Sequence, residues 1–233
     1  MRRSTATATG AALAVGAWSL PALAPLVPSL CRSLGLPRTL PGEDAAVALT
    51  FDDGPHPRGT PAVLEALAAA GARATFFLIG EQVRRSPALA AEIVAAGHAV
   101  ALHGDRHRLQ LRLTPRALAD DLDRGHATIA EASGVAPRRY RPPFGIFSPA
   151  GLAVVRRRGW APLLWSRWGH DWRLRRTPAQ IAGELTDRLR AGDVLLLHDA
   201  DDYSQPGSWQ RTVAALPAVL EAIERRGLTT TAL

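Results

Sequence analysis

The chain has 233 residues, 47% of them hydrophobic, which suits one large α/β domain with a packed core. Arginine supplies the positive charge, and 28 basic against 21 acidic residues leave a net +7, a surface that favours anionic partners without choosing among them. Cys31 is the one cysteine, which excludes an internal disulfide and any CxxC metal site, and the longest basic run, Arg156-Arg157-Arg158, reads as a solvated helix end rather than a nucleic-acid patch.

In chain order, "MRR" precedes an uncharged stretch from Ser4 to Cys31 rich in alanine and proline. This predicts an N-terminal leader over residues 1–40. It is either a secretory signal with "ALA" (Ala22 to Ala24) as cleavage site or an uncleaved membrane anchor, although Pro21, Pro25 and Pro28 interrupt a spanning helix. From Ala45 the chain alternates, and residues 45–233 read as one domain. The runs "AVALTF", "ATFFLIG", "HAVALHG", "RRYRPPF", "APLLWS", "DVLLLHD" and "LTTTAL" predict strands. Helices are predicted over Thr60–Ala70, Pro87–Ala96, Thr114–Ala132, Pro149–Arg158, Pro178–Ala191 and Thr212–Arg226. Thr60-Pro61, Ser86-Pro87, Thr114-Pro115, Ser148-Pro149 and Thr177-Pro178 each place a capping residue before a first-turn proline, and glycines such as Gly134 fall where helices should end. Near-continuous apolar strands alternating with helices imply a parallel sheet covered by helices, and about seven such units favour a barrel over an open doubly wound sheet. Either architecture gathers its chemistry at the C-terminal ends of the strands.

The titratable residues obey that rule. Asp52 and Asp53 follow the first strand, His103 and His107 the third, Arg141 the fourth, "WSRWGHDW" the fifth, and His198 and Asp199 the sixth. Taken alone, "DDGP" reads as an Asx-turn, and two histidines at i, i+4 on a helical turn are a weak metal signal. A carboxylate added to the His pair makes a two-His, one-carboxylate set that leaves coordination positions open, as catalytic metal sites do. The adjacent aspartates then have separable duties, one holding a cation and the other taking a proton from water. Trp165, Trp168 and Trp172 fit a sugar-stacking platform or core packing, the two readings being evenly balanced for Trp165 and Trp168. The segment Asp199 to Gln210 fits a loop over the cleft, with Trp209 at its tip.

In order, "TFDDGP" (Thr50–Pro55), "HGDRH" (His103–His107), "RPPFG" (Arg141–Gly145), "DW" (Asp171-Trp172) and "LLLH" (Leu195–His198) resemble the five motifs of the NodB-homology polysaccharide deacetylases, carbohydrate esterase family 4. The resemblance implies a distorted (β/α) barrel of about seven parallel strands. It implies that Asp53, His103 and His107 hold a divalent metal, zinc first, with Co2+, Ni2+ or Mn2+ as alternatives. Asp52 would be the general base, paired with Arg141; His198 the general acid, oriented by Asp171; the Phe144 backbone N–H an oxyanion donor; and Trp172 and Leu196 the lining of the acetyl pocket. The implied reaction is removal of N-acetyl groups from a chitin- or peptidoglycan-type glycan, with O-acetyl ester cleavage on xylan or a silent glycan-binding module as alternatives. The expected partner is an acetylated glycan and not nucleic acid, and the expected form is a monomer, secreted or held at the cell envelope through its leader. Two positions depart from the family pattern: Gly104 stands where Ser or Thr is common, and Trp168 where an additional aspartate is frequent.

Overall fold

The computed structural model describes residues 20–24, 27–42 and 45–233, so most of the stretch expected as a signal or anchor lies outside the described residues. In chain order the strands are β1 (Ala46–Asp52), β2 (Thr75–Leu78), β3 (Ala99–Leu102), β4 (Arg139–Tyr140), β5 (Ala161–Pro162), β6 (Arg167–Trp168), β7 (Val194–His198) and β8 (Thr229–Thr231). The helices are α1 (Pro28–Ser33), α2 (Gly59–Ala69), α3 (Gly80–Arg85), α4 (Pro87–Ala95), α5 (Pro115–Ser133), α6 (Pro149–Arg157), α7 (Pro178–Thr186) and α8 (Ser208–Glu224). Among the described residues, no helix is long and apolar enough to cross a membrane.

All strand pairings are parallel, in the order β5-β4-β3-β2-β1-β7-β6, with β8 beside β1. The expected distorted barrel of parallel strands is therefore present as a curled sheet that stays open between β5 and β6. β1 is the central strand: β8 pairs with its first half, β2 with its second, and β7 runs along its other edge. Its residues Val47 to Phe51 are buried on both faces, which is why the run is continuously apolar rather than alternating. This register sets Asp52 level with His198 and with Phe77, so the ends of β1 and β7 deliver their polar residues to one place.

The run predicted as one strand from Ala161 to Ser166 splits, and the described residues hold eight strands. Between β5 and β6, Leu163 and Ser166 N–H still reach the Tyr140 and Val194 carbonyls, but Leu164 N–H donates to the Pro37 carbonyl, and Arg38 Nε donates to the Trp165 carbonyl at 2.7 Å. The segment Leu36–Leu40, which lies within the stretch expected as leader, thus runs beside the open seam, with Leu36 in the core and Thr39 bridged to Asp193.

Thr114, Ser148 and Thr177 cap their helices as the sequence predicts, accepting from the N–H groups of Ala117, Gly151 and Gln180. Thr60 does not: α2 begins at Gly59, and the Thr60 hydroxyl instead accepts from His56 N–H and donates to Asp199. Ser86 makes no side-chain cap either. α3 has no periodic signature. Its first N–H groups, from Gly80 and Glu81, bond to the carbonyls of Gly104 and Asp105, so the loop after β3 completes it. α7 stops at Thr186 rather than Ala191 because Arg226 and Arg167 take the Thr186, Asp187 and Arg188 carbonyls. α8 starts four residues earlier than expected, at Ser208. Trp209 consequently lies in its first turn against His56, not at a loop tip.

Candidate active site

At the end of β1 the chain turns through Asp53, which has φ 79°, a left-handed conformation that sends the two neighbouring carboxylates apart. Asp52 faces Arg141. Asp53 faces His103 and His107, with Oδ1 3.4 Å from each Nε2. The histidines sit on an irregular loop rather than the expected helical turn, and Gly104, at φ 104°, bends it so that the two rings come to 5.7 Å between centroids. A side chain at Gly104 would require an unfavourable backbone, and its Cβ would stand 3.2 Å from the Arg106 carbonyl. The loop is supported instead through Asp105, whose N–H donates to Asp121 and whose carboxylate takes Arg84 at 2.6 Å.

The donor set fits a divalent cation. His103 Nδ1 lies 2.8 Å from the Arg141 carbonyl, which can only accept, so Nδ1 carries the proton and Nε2 presents a lone pair. Asp53 Oδ1 is buried and has no hydrogen-bond partner. Lone pairs therefore converge where only a positive charge satisfies them. Burial opposes ionisation of Asp53, but positive charge on the facing imidazoles, His103 first and then His198 and His107, outweighs it when they are protonated and holds the carboxyl at about 2; a cation among neutral imidazoles would play the same part. Burial also holds His107 below the usual imidazole range, which keeps it neutral for ligation. A second group, His56, Asp201 and Asp202, has comparable spacing, but each member already has a protein partner. His56 Nδ1 accepts from Gly59 N–H, leaving the proton on Nε2; Asp201 accepts from Gly207 N–H; Asp202 pairs with Arg85.

Arg141 is fully buried, and all three of its guanidinium nitrogens donate. Nη1 reaches Asp52 Oδ1 at 2.6 Å and Thr50 Oγ1 at 2.9 Å, while Nε and Nη2 reach the Leu163 and Leu164 carbonyls at 3.1 Å. Across the site, Asp171 accepts from His198 twice, from Nδ1 at 2.9 Å and from the backbone N–H at 2.8 Å, and from the Thr212 hydroxyl at 2.7 Å. Burial alone would discharge the His198 imidazole. The Asp171 carboxylate overrides it, with lesser help from Asp53 and Asp52, and the pKa is pushed up to about 10.

These groups open onto a pocket of about 250 Å³ that also takes in Phe144, Leu196, Trp165, Trp168, Trp172 and Tyr203. Every predicted site residue is thus in or directly behind one pocket, Arg141 and Asp171 being the two behind it. Phe144 holds a left-handed φ of 61° and is 56% exposed at the mouth. Trp172 stands edge-on to His198 at 5.5 Å, and Trp168 touches both Trp165 and Trp172, so the three indoles form one wall. Sequence reasoning gave no site role to Tyr203 or Thr212, read Thr60 as a helix cap, and placed Asp199 at a strand end without a duty. The Asp199 carboxyl is fully buried and pushed by that burial up to about 7, and a Cβ on Gly54 would collide with it. The remaining histidines have structural partners: His98 near Ala74 N–H, His126 on the Pro137 carbonyl and His170 on Glu184.

A family profile described as polysaccharide deacetylase matches residues 40–162. The chain belongs to the polysaccharide deacetylase family. It is 34% identical over 191 residues to a peptidoglycan-N-acetylglucosamine deacetylase of Bacillus cereus, covering 81% of this chain and 86% of that one. It is 31% identical over 211 residues to a chitooligosaccharide deacetylase of Azorhizobium caulinodans, covering 83% and 95%. Among solved structures, it resembles the Bc1960 peptidoglycan N-acetylglucosamine deacetylase with a TM-score of 0.81 at 25% identity, over 88% of this chain and 94% of that one. Within the polysaccharide deacetylase fold, the two departures have local accounts. Gly104 serves a left-handed loop braced by Asp105, and Trp168 extends the indole wall.

Proposed function

We propose that this chain is a metal-dependent hydrolase that removes N-acetyl groups from an N-acetylglucosamine glycan of the chitin or peptidoglycan type. The observation that carries the reading is the partnerless Asp53 oxygen facing two imidazoles, set between the Asp52–Arg141 pair and the Asp171–His198 pair. Asp53, His103 and His107 would hold the cation, zinc in the first instance. When bound, such a cation lowers the pKa of water and polarises a carbonyl. An amide needs three further things: a base for the water, donors for the oxyanion and a proton for the leaving nitrogen.

Asp52 takes the proton from the attacking water, its carboxylate aimed by Arg141. The water oxygen bonds to the acetamido carbon, and the Phe144 N–H donates to the oxyanion. His198, protonated through Asp171, gives its Nε2 proton to nitrogen as the C–N bond breaks, leaving acetate and a free amine. Trp172 and Leu196 enclose the acetyl methyl. The likeness to peptidoglycan and chitooligosaccharide deacetylases supports the choice of glycan. Polymeric substrates of this kind lie outside the membrane, which suits export or envelope attachment through the N-terminal leader. The site is assembled within one chain, which suits a monomer.

The test is metal analysis of the purified protein together with acetate release from N-acetylglucosamine oligomers and from acetylated xylan. Zinc bound near one equivalent and release from the oligomers are expected. Asp52→Asn should keep the metal and lose about 10³-fold in kcat. Activity on xylan alone would replace the amide with an ester, and metal-free protein inactive on both polymers would end the proposal.

A further inference from the structure

The two histidines of the candidate metal centre are held by different forces. His103 is fixed by a hydrogen bond from Nδ1 to the Arg141 carbonyl. Among the described residues, neither nitrogen of His107 has a hydrogen-bond partner, although ligating histidines ordinarily spend their second nitrogen on one. His107 is gripped by rings instead. Tyr203 stacks on it at 4.4 Å and 13° between planes, and Phe144 meets it edge-on at 4.5 Å and 72°.

Of these two jaws Tyr203 is the anchored one. Its hydroxyl donates to Glu81 Oε1 at 2.6 Å and accepts from Gln82 Nε2 at 3.1 Å, both on the first turn of α3. That turn is in turn bonded through Gly80 and Glu81 N–H to the carbonyls of Gly104 and Asp105, in the very loop that carries His107. The contacts form a closed circuit from the His103–His107 loop to α3, to Tyr203 and back onto the imidazole. Phe144, more than half exposed at the pocket mouth, has no such tether.

We infer that Tyr203 is a positioning residue that clamps His107 in its ligating orientation, so that the loop after β7 sets how tightly the site holds a divalent cation. The inference rests on the metal reading of the proposed function. The face-on stack prevents the imidazole from swinging about its Cβ–Cγ bond, a freedom that would otherwise be frozen only on binding and would weaken it.

The experiment is zinc titration against a chromogenic chelator for the wild type, Tyr203→Leu, Tyr203→Phe and Glu81→Ala. Proton NMR of the metal-free protein gives a second readout, since ring currents from Tyr203 shift the His107 ring protons. Tyr203→Leu should weaken zinc about 10- to 100-fold and abolish the ring-current shift. Tyr203→Phe keeps the ring but removes both tethers, the bond to the Glu81 carboxylate and the one from the Gln82 amide, and should lose about 3- to 10-fold, between wild type and Tyr203→Leu. Combining Tyr203→Leu with His107→Ala should add nothing to the zinc loss of His107→Ala alone, whereas a general structural role would add its own loss. If Tyr203→Leu does not fold, Glu81→Ala, which frees the ring's anchor, should still fall between wild type and His107→Ala. Unchanged zinc affinity in Tyr203→Leu or in Glu81→Ala overturns the clamp alone. A wild type that binds no zinc overturns the metal reading and the clamp with it.

Discussion

Asp52 and Asp171 are both buried carboxylates at strand ends, and each faces a cation, yet the pairs are built for opposite proton chemistry. Asp52 meets Arg141 at 2.6 Å, and a guanidinium keeps its charge at any working pH, so the carboxylate always has a counter-ion and its partner has no proton to give. Asp171 meets His198 at 2.9 Å, and the same attraction there loads a proton onto a group that can release it. One electrostatic arrangement therefore yields an aimed acceptor in the first pair and a charged donor in the second. The difference lies only in which cation the fold supplies.

Removing Arg141 should break the first pair most severely. Arg141→Met leaves Asp52 buried without its counter-ion and strands the Thr50, Leu163 and Leu164 oxygens, and a loss of about 3–5 kcal/mol is expected in urea unfolding. A loss below about 1 kcal/mol would mean that water already compensates the pair. Asp171→Asn sharpens the contrast through pH. The folded His198 pKa, about 10, stands above the ordinary imidazole value near 6.5, so the linked stability is complete below about 6.5 and lost as pH climbs through 10. In the variant the alkaline limb of kcat/KM, and the matching loss of metal-free stability, should both move towards neutral pH; a limb that stays put would remove His198 as the acid. The smallest effect belongs to Thr212→Val, which takes one donor from Asp171 and should cost about 1 kcal/mol by thermal melting, with a slight shift of the same limb.

Much of this site is legible in sequence because the ends of parallel strands are where a barrel must expose its loops. Asp52, Asp53, His103 and His198 each follow an apolar run that only a buried strand explains, whereas Arg141 follows the short and polar Arg138-Arg139-Tyr140 and is placed by the alternation of elements around it. What was illegible depends on meetings between loops. Tyr203 and Glu81 are 122 positions apart, Thr212 and Asp171 are 41 apart, and nothing periodic links either pair. α3 is too short for a helical pattern and owes its first turn to carbonyls from another loop. The His103–His107 pair was found by an i, i+4 spacing that suits a helix, although the backbone there is a glycine-bent loop; the spacing worked because Gly104 supplies the turn by other means.

The seam between β5 and β6 has a bearing on where this protein can be cut. The Leu163 and Leu164 carbonyls that hold the Arg141 guanidinium belong to a stretch gripped on its far side by Pro37 and Arg38. A chain begun at Ala45, where the strand and helix alternation starts, would keep all five motifs and discard the buttress behind the arginine that aims the base. The functional boundary of the domain is thus upstream of its visible one, and processing or cloning that respects only the motifs would loosen Asp52 from a distance.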